Sequence, residues 1–391
     1  MDKQTRKPDV ILLSIIAALI FLGILFLASV SSSFGIQKFG DPLYFLSHQV
    51  LFGFIPGIFF AISGYLIPVP LLKKFSPILL LSSLLLVALV FVPGIGQQIG
   101  GASRWIAIGS LSFQPTELLK LTFILYTASW LSRRQVLVPF QKWHGTGASG
   151  KKQEPLWSRI TRGKEILLPF LAVLGVISIL LLSQPDLSTL GVIGITGIII
   201  YFSALTPIWH TIFLGGGGVG ALVLLVMFEP YRLERLITFL NPSTIDPLGS
   251  GYQIKQALVG IGSGGITGVG LGMSYQKFGV LPEPISDSIF AVIAEELGFI
   301  GATLLVLLFL AFVYRTILLA IRSQDMFSRL TAIGIASWIS IQAFVNMGAM
   351  LSILPLTGIP LPFISYGGSS LMITLCAMGI LLNVSQQNSH A

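Results

Sequence analysis

Charge is what this sequence has least of. Asp, Glu, Lys and Arg make up only 10% of its 391 residues, where a soluble domain carries roughly 25%. With 54% hydrophobic residues and a mean hydropathy of +0.89, such a chain cannot cover itself with polar surface. That excludes an ordinary soluble protein and leaves a polytopic membrane protein. Cysteine is nearly absent: Cys376 is the only one, so no intrachain disulfide can form. The four histidines, His48, His144, His210 and His390, show no metal-ligand spacing. There is no G-x-S-x-G, no H-E-x-x-H and no cysteine pair. No long-period repeat supports a transporter built from inverted halves. The formal charge of +8 would hint at nucleic acid in a soluble chain; here it fits basic loops on one side of a membrane.

What the chain has is long apolar runs. Ten segments read as membrane helices, at about 10–31, 44–66, 76–93, 115–132, 166–183, 187–204, 211–228, 287–312, 331–352 and 363–383. Most approach the roughly 20 residues that cross a hydrocarbon core. The first is too long for a signal-peptide core and lacks a cleavage site, so it reads as a retained helix. The expected fold is all-α. Of the 23 Lys and Arg residues, sixteen fall on the N-terminal side of the membrane and six on the other, with Lys120 inside a helix. Both termini are therefore expected in the cytoplasm. The basic stretch at about 133–165 becomes a cytoplasmic loop held near anionic lipid, and 229–286 becomes a large extracytoplasmic loop.

Polar chemistry concentrates in and around that outer loop. Leu233, Leu236, Ile237 and Leu240 repeat at helical spacing, as do Ile254, Ala257, Leu258 and Ile261, which predicts two amphipathic helices lying on the membrane surface. The glycine run from Gly262 to Gly272 fits neither G-x-G-x-x-G nor a P-loop, and reads as a connector or as a backbone cradle for phosphate. Beyond it come Lys277, Glu283 and Asp287, bounded by Pro282 and Pro284, and then Glu295 and Glu296 inside the eighth span. Asp287 has two readings: a first-turn carboxylate on the helix dipole, with Ser286 as candidate cap, or a base at the membrane surface.

Glu117 and Lys120 stand three apart at the start of the fourth span, hence on one helix face. Pro115 suits the first helical position and Glu117 the third, so a cap with a local ion pair is one account. Lys120 lies about 9 Å below its helix start, and Glu295 and Glu296 about 12–14 Å below theirs, so a cross-helix pair is another. Charges at such depth cost roughly 3 kcal/mol or more and ask for a reason. Arg104-Trp105 adds an outward cation beside an interfacial aromatic. Asp186, in Ser183-Gln184-Pro185-Asp186, and the stretch Ser365 to Ser370 are further outer-face turns, each weak alone.

Taken in order, GASRWIAIGSLSFQPTELLKL at 101–121, SQPDLST at 183–189, RLITFLNPSTIDPLGSGYQ at 235–253, LPEPISDSIFAVIAEELGFIG at 281–301 and LPLTGIPLPFISYGGSSL at 354–371 resemble the SEDS family (shape, elongation, division and sporulation) of bacterial cell-wall synthesis. The resemblance runs from the first helix to the last, so residues 1–391 are expected to form one membrane domain of this type. Tyr252-Gln253 and FISYGGSSL look more like the division members than the elongation members. One departure stands out: Ile285-Ser286-Asp287-Ser288 replaces the family's usual His-Thr-Asp-Phe.

The resemblance implies a multi-pass glycosyltransferase of the cytoplasmic membrane that polymerises lipid II, with undecaprenyl diphosphate leaving, in cell division or cell shape. By analogy Asp287 would be the catalytic base. Arg104, Glu117, Lys120, Lys277, Glu283, Glu295, Glu296 and Ser369 are the expected substrate-binding residues. The cations, with a divalent ion such as Mg or Mn as a further cofactor, would stabilise the departing diphosphate, although no ligand cluster for the metal is visible. A class B penicillin-binding protein and other division proteins are the implied partners, and nucleic acid is not. Two other classes remain. A lipid II flippase needs a polar path through the whole bilayer, whereas the buried charges all fall in one half. A non-catalytic division scaffold leaves Lys120, Glu295 and Glu296 unexplained.

Overall fold

The computed structural model describes residues 8–99, 102–108, 111–133, 156–240 and 250–387. Most of the basic 133–165 stretch lies outside these residues. Its last part differs from expectation, because helix begins at Leu156 rather than near 166.

Ten helical segments occupy the expected spanning positions. They are α1 (Val10–Phe39), α2 and α3 (Tyr44–Gln49 and Ile55–Leu66, joined by a π-helical turn at Val50–Phe54), α4 (Val69–Leu89), α5 (Pro115–Arg133), α6 (Leu156–Ser183), α7 (Leu187–Ser203) and α8 (Ile208–Met227), and, beyond the large loop, α11 (Ile289–Arg322), α12 (Met326–Met350) and α13 (Gly368–Gln387). Eight of the ten are long and apolar enough to cross a membrane on their own. The other two are α7, of 17 residues, and α5, which carries Glu117 and Lys120. Both lie against α12, so protein rather than lipid surrounds their polar groups, as intramembrane charge requires.

Much of the core sits on α12, whose Phe327, Leu330, Trp338, Ile339 and Ala343 are fully buried. Small residues let helices close up elsewhere. Gly57 and Gly64 of α3 face Leu375, Cys376 and Ile380 of α13, and Gly379 of α13 lies against the Ala61 backbone, the small-residue interface common in membranes. At one end of the bundle Asp9 caps α1 through the Leu12 N–H, 2.8 Å, and pairs with Arg315 of α11 at 2.7 Å.

The 229–286 region contains the two predicted amphipathic helices, α9 (Pro230–Leu240) and α10 (Ser250–Ser263). The glycine run after α10 is neither a loose connector nor a phosphate cradle. It pairs backbone-to-backbone with a break in α11, where Gly298 takes φ 68° and ψ −166°. A broken helix leaves carbonyl and N–H groups that must find partners away from water. Val269 and Gly270 N–H donate to the Glu295 and Glu296 carbonyls at 3.0 and 3.1 Å, and Phe299 and Ile300 N–H donate to the Gly265 and Ile266 carbonyls at 2.9 and 3.1 Å. The approach is so close that a Cβ at Gly268 would overlap the Glu296 carbonyl, and one at Gly298 the Gly268 nitrogen.

A three-stranded antiparallel sheet between α4 and α5 had no signal in the apolar periodicity. It comprises β1 (Gly96–Ile99), β2 (Ala102–Ile108) and β3 (Leu111–Phe113), with Gln97 opposite Trp105 and Ile106 opposite Phe113. It packs at the start of α5.

Candidate functional site

The starts of α5, α7 and α13, the turn before α11 and the 351–367 loop converge at the loop end of the bundle and enclose a cavity of about 250 Å³. Its wall carries Arg104 and Trp105 from β2, Glu117 and Lys120 from α5, Asp186 and Ser188 from the head of α7, Glu283, Ser286 and Asp287 from the turn, and Gln342 from α12.

The turn is built tightly. Glu283 adopts φ 49°, a left-handed conformation uncommon outside glycine and often kept at functional sites, and its carbonyl accepts from the Ser286 and Ser288 N–H groups at 3.2 and 3.3 Å. Four residues from three elements hold the next stretch. Tyr366 N–H donates to the Ile285 carbonyl at 2.8 Å, and the Ser365 hydroxyl donates to the Ser286 carbonyl. Asn346 Nδ2 of α12 donates to the Asp287 carbonyl at 2.7 Å and to the Ile359 carbonyl at 2.8 Å. Gln253 Nε2 of α10 reaches Ser288 Oγ at 2.8 Å and Asp287 Oδ2 at 3.4 Å. The Asp287 backbone is thus fixed while its carboxylate faces the cavity.

Asp287 is not a first-turn residue: α11 starts at Ile289, and its cap position, Ser288, makes no side-chain cap bond. The helix-dipole reading therefore loses its geometry. Burial, and then the nearby Glu283 carboxylate, push the Asp287 carboxyl above its ordinary range, partly offset by hydrogen bonds from Gln253 and Ser286. A raised carboxylate is a better proton acceptor near neutral pH.

Across the cavity, Lys120 Nζ donates to Glu117 Oε1 at 2.9 Å and to Gln342 Oε1 at 3.0 Å, and lies 5.1 Å from the Trp338 ring centroid. Glu117 is therefore the partner of Lys120, and the alternative pairing with Glu295 or Glu296 does not occur. Those two belong to a separate cluster. Lys277 is buried against Glu296, 3.0 Å, with further bonds to the Gly272 carbonyl, 2.6 Å, and to Ser29 Oγ of α1, 3.1 Å. Glu295 receives the Ser274 hydroxyl and the Tyr275 and Gln276 N–H groups. Lys277, Glu295 and Glu296 thus fasten the loop to the α11 break and do not line the cavity. Ser369 does not line it either; its hydroxyl accepts from Gln114 N–H at 3.1 Å and joins α13 to the sheet.

Of the expected substrate-binding residues, Arg104, Glu117, Lys120 and Glu283 share the cavity with Asp287. Arg104 donates to the Gln184 and Pro185 carbonyls and so ties the sheet to the turn before α7. Sequence reasoning missed Gln342 and Asn346, which sit on an apolar helix without a motif, and undervalued Asp186 and Gln253. Among the described residues no group of three His, Cys, Asp or Glu side chains could hold a metal ion.

This frame, a broken helix beside a polar cavity at one membrane face, defines a polytopic protein with an interfacial polar site. The family model described as "Cell cycle protein", FTSW_RODA_SPOVE, matches residues 10–390, and the chain belongs to that family. It is 38% identical to Stage V sporulation protein E of Bacillus subtilis, over 100% of both chains. It is also 38% identical to a probable peptidoglycan glycosyltransferase FtsW of Geobacter sulfurreducens, over 98% of this chain and 96% of that one. A chain from the solved structure described as "Structural coordination of polymerization and crosslinking by a peptidoglycan synthase complex" superposes with a TM-score of 0.71 and 29% identity, over 98% and 99% of the two chains. Rod shape determining protein RodA of Thermus thermophilus gives a TM-score of 0.65 and 28% identity, over 98% of each.

Proposed function

We propose that this protein is a peptidoglycan glycosyltransferase that polymerises lipid II at the outer face of the cytoplasmic membrane, with Asp287 as general base. Full-length similarity to relatives named as such supports the activity, and the observation that carries the mechanism is Asp287 itself. It is a carboxylate held by its backbone, raised by burial and Glu283, and turned to a polar cavity. In the reaction the 4-hydroxyl of an acceptor GlcNAc attacks the anomeric carbon of the donor sugar with inversion. The new C–O bond forms as the bond from the anomeric carbon to the diphosphate oxygen breaks. The hydroxyl proton passes to the Asp287 carboxylate, and undecaprenyl diphosphate departs with the bonding electrons. Lys120 is neutralised by Glu117 and Lys277 by Glu296.

The distribution of Lys and Arg supports cytoplasmic termini and an outward-facing cavity. A transpeptidase of the class B penicillin-binding type is the partner we propose, in division, elongation or sporulation; likeness to a chain of a synthase complex supports it. The flippase reading is the weaker one, because the charged side chains of the cavity and of the Lys277 cluster gather at one end of the bundle.

Asp287→Asn is the test. It keeps size and most hydrogen bonding but takes no proton, so lipid II polymerisation should fall about 10²–10⁴-fold, with expression and thermal stability unchanged. Near-normal polymerisation would remove Asp287 as base and direct attention to Glu283.

A further inference from the structure

Two carboxylate oxygens in the cavity wall have no hydrogen-bond partner among the described residues. Asp186 and Glu117 are 4% and 3% exposed. In each, one oxygen is engaged: Asp186 Oδ1 caps α7 through the Thr189 N–H at 3.2 Å, and Glu117 Oε1 takes Lys120. The second oxygen of each, Asp186 Oδ2 and Glu117 Oε2, is buried with no hydrogen-bond partner among the described residues. Buried polar atoms are normally satisfied, and an unpaired carboxylate oxygen is costly. Both residues line the same cavity, so the hydrogen-bond donors these oxygens can gain are those of a ligand bound there.

The charges say what kind of ligand. Glu117, Asp186, Glu283 and Asp287 face the cavity against Arg104 and Lys120, so acids outnumber bases. Such a wall repels a diphosphate and favours a neutral group rich in donors. Trp105 adds an apolar surface to the same wall, as suits the mixed faces of a pyranose ring. A bare cation would also suit the charge, but no three acidic side chains are placed to share one among the described residues.

We infer that the cavity is a saccharide subsite in which Asp186 Oδ2 and Glu117 Oε2 accept hydrogen bonds from hydroxyl or acetamido N–H groups of the substrate sugar, while the diphosphate stays outside it. The inference rests on the glycosyltransferase reading and adds which part of the substrate enters and what holds it.

Asp186→Asn tests it. Asn keeps the helix cap but replaces one acceptor oxygen with a donor. The probes are lipid II as substrate and two competitors, N,N′-diacetylchitobiose and undecaprenyl diphosphate. The KM for lipid II should rise about tenfold or more, the loss of one charged hydrogen bond, with kcat falling less and the melting temperature unchanged. Inhibition by diacetylchitobiose should weaken similarly, and inhibition by undecaprenyl diphosphate should hold within about twofold. Asp186→Ser, which also caps, should give the same pattern if the Asn variant folds poorly. An unchanged KM, a selective loss of diphosphate inhibition, or rescue by added Mg²⁺ would each overturn the saccharide assignment. Wild-type protein that polymerises lipid II while Asp186→Asn matches it refutes this inference alone; inactive wild-type protein refutes the parent reading and this with it.

Discussion

Lys277 offers the sharpest test of how the outer loop is fastened. Its ammonium is buried with Glu296, both essentially inaccessible to solvent, and its partners are Glu296, the Gly272 carbonyl and Ser29. Lys277→Met keeps the length and apolar stem but leaves the Glu296 carboxylate with the Ser29 hydroxyl, at 2.9 and 3.1 Å. Breaking a buried pair in this way costs about 3–5 kcal/mol. Replacing both charges removes the stranded anion, so Lys277→Met/Glu296→Gln should recover at least about 2 kcal/mol of that loss. The measurement is unfolding of the purified protein in detergent, run as a double-mutant cycle. Activity should fall in the single variant, because the loop that Lys277 fastens leads directly into the Asp287 turn. A double variant whose loss equals the sum of the single losses would show that the pair carries no coupling and refute the reasoning.

Lys120→Met should lose stability and activity together, with partial recovery in Lys120→Met/Glu117→Gln and simple additivity with substitutions at Glu295 or Glu296; coupling to either of the latter would contradict the separation of the two clusters. Glu283 raises the Asp287 carboxyl, and a base works only when deprotonated, so Glu283→Gln should move the acidic limb of the pH–rate profile to lower pH. A limb that stays in place, or moves up, would detach Glu283 from the base. Single cysteines at Gly150 and Ser250, in a Cys376→Ala background, should label from opposite sides of the membrane; labelling from one side would sink the proposed orientation.

The broad plan was legible in the sequence because lipid as solvent leaves few options: apolar runs near 20 residues become helices. The amphipathic spacing of Leu233 to Leu240 and Ile254 to Ile261 likewise specified α9 and α10 by periodicity alone. Local spacing put Glu117 and Lys120 on one face, and they pair. Family motifs brought Asp287, Glu283 and Arg104 to attention, and all three line the cavity.

Other features depended on contacts between distant segments. Whether Lys120 met Glu117 or the eighth span was open at the level of helical depth, since depth fixes height and not which faces meet. Packing of α5 against α12 decided it by bringing Gln342 and Trp338 to the ammonium. Lys277 read as a loop-mouth cation because burial has no one-dimensional signature, yet it folds inward onto Glu296 and Ser29, residues 19 and 248 positions away. The glycine run looked like a connector because its partner strand is a break in a helix, and a break at Gly298 costs little only when another backbone supplies the missing hydrogen bonds. Asn346 and Asp186 owe their roles to the loops that reach them. The sequence by itself determined which segments enter the membrane and which carry charge; the tertiary structure alone decided which charges meet, because pairing depends on the helix faces that packing turns toward each other.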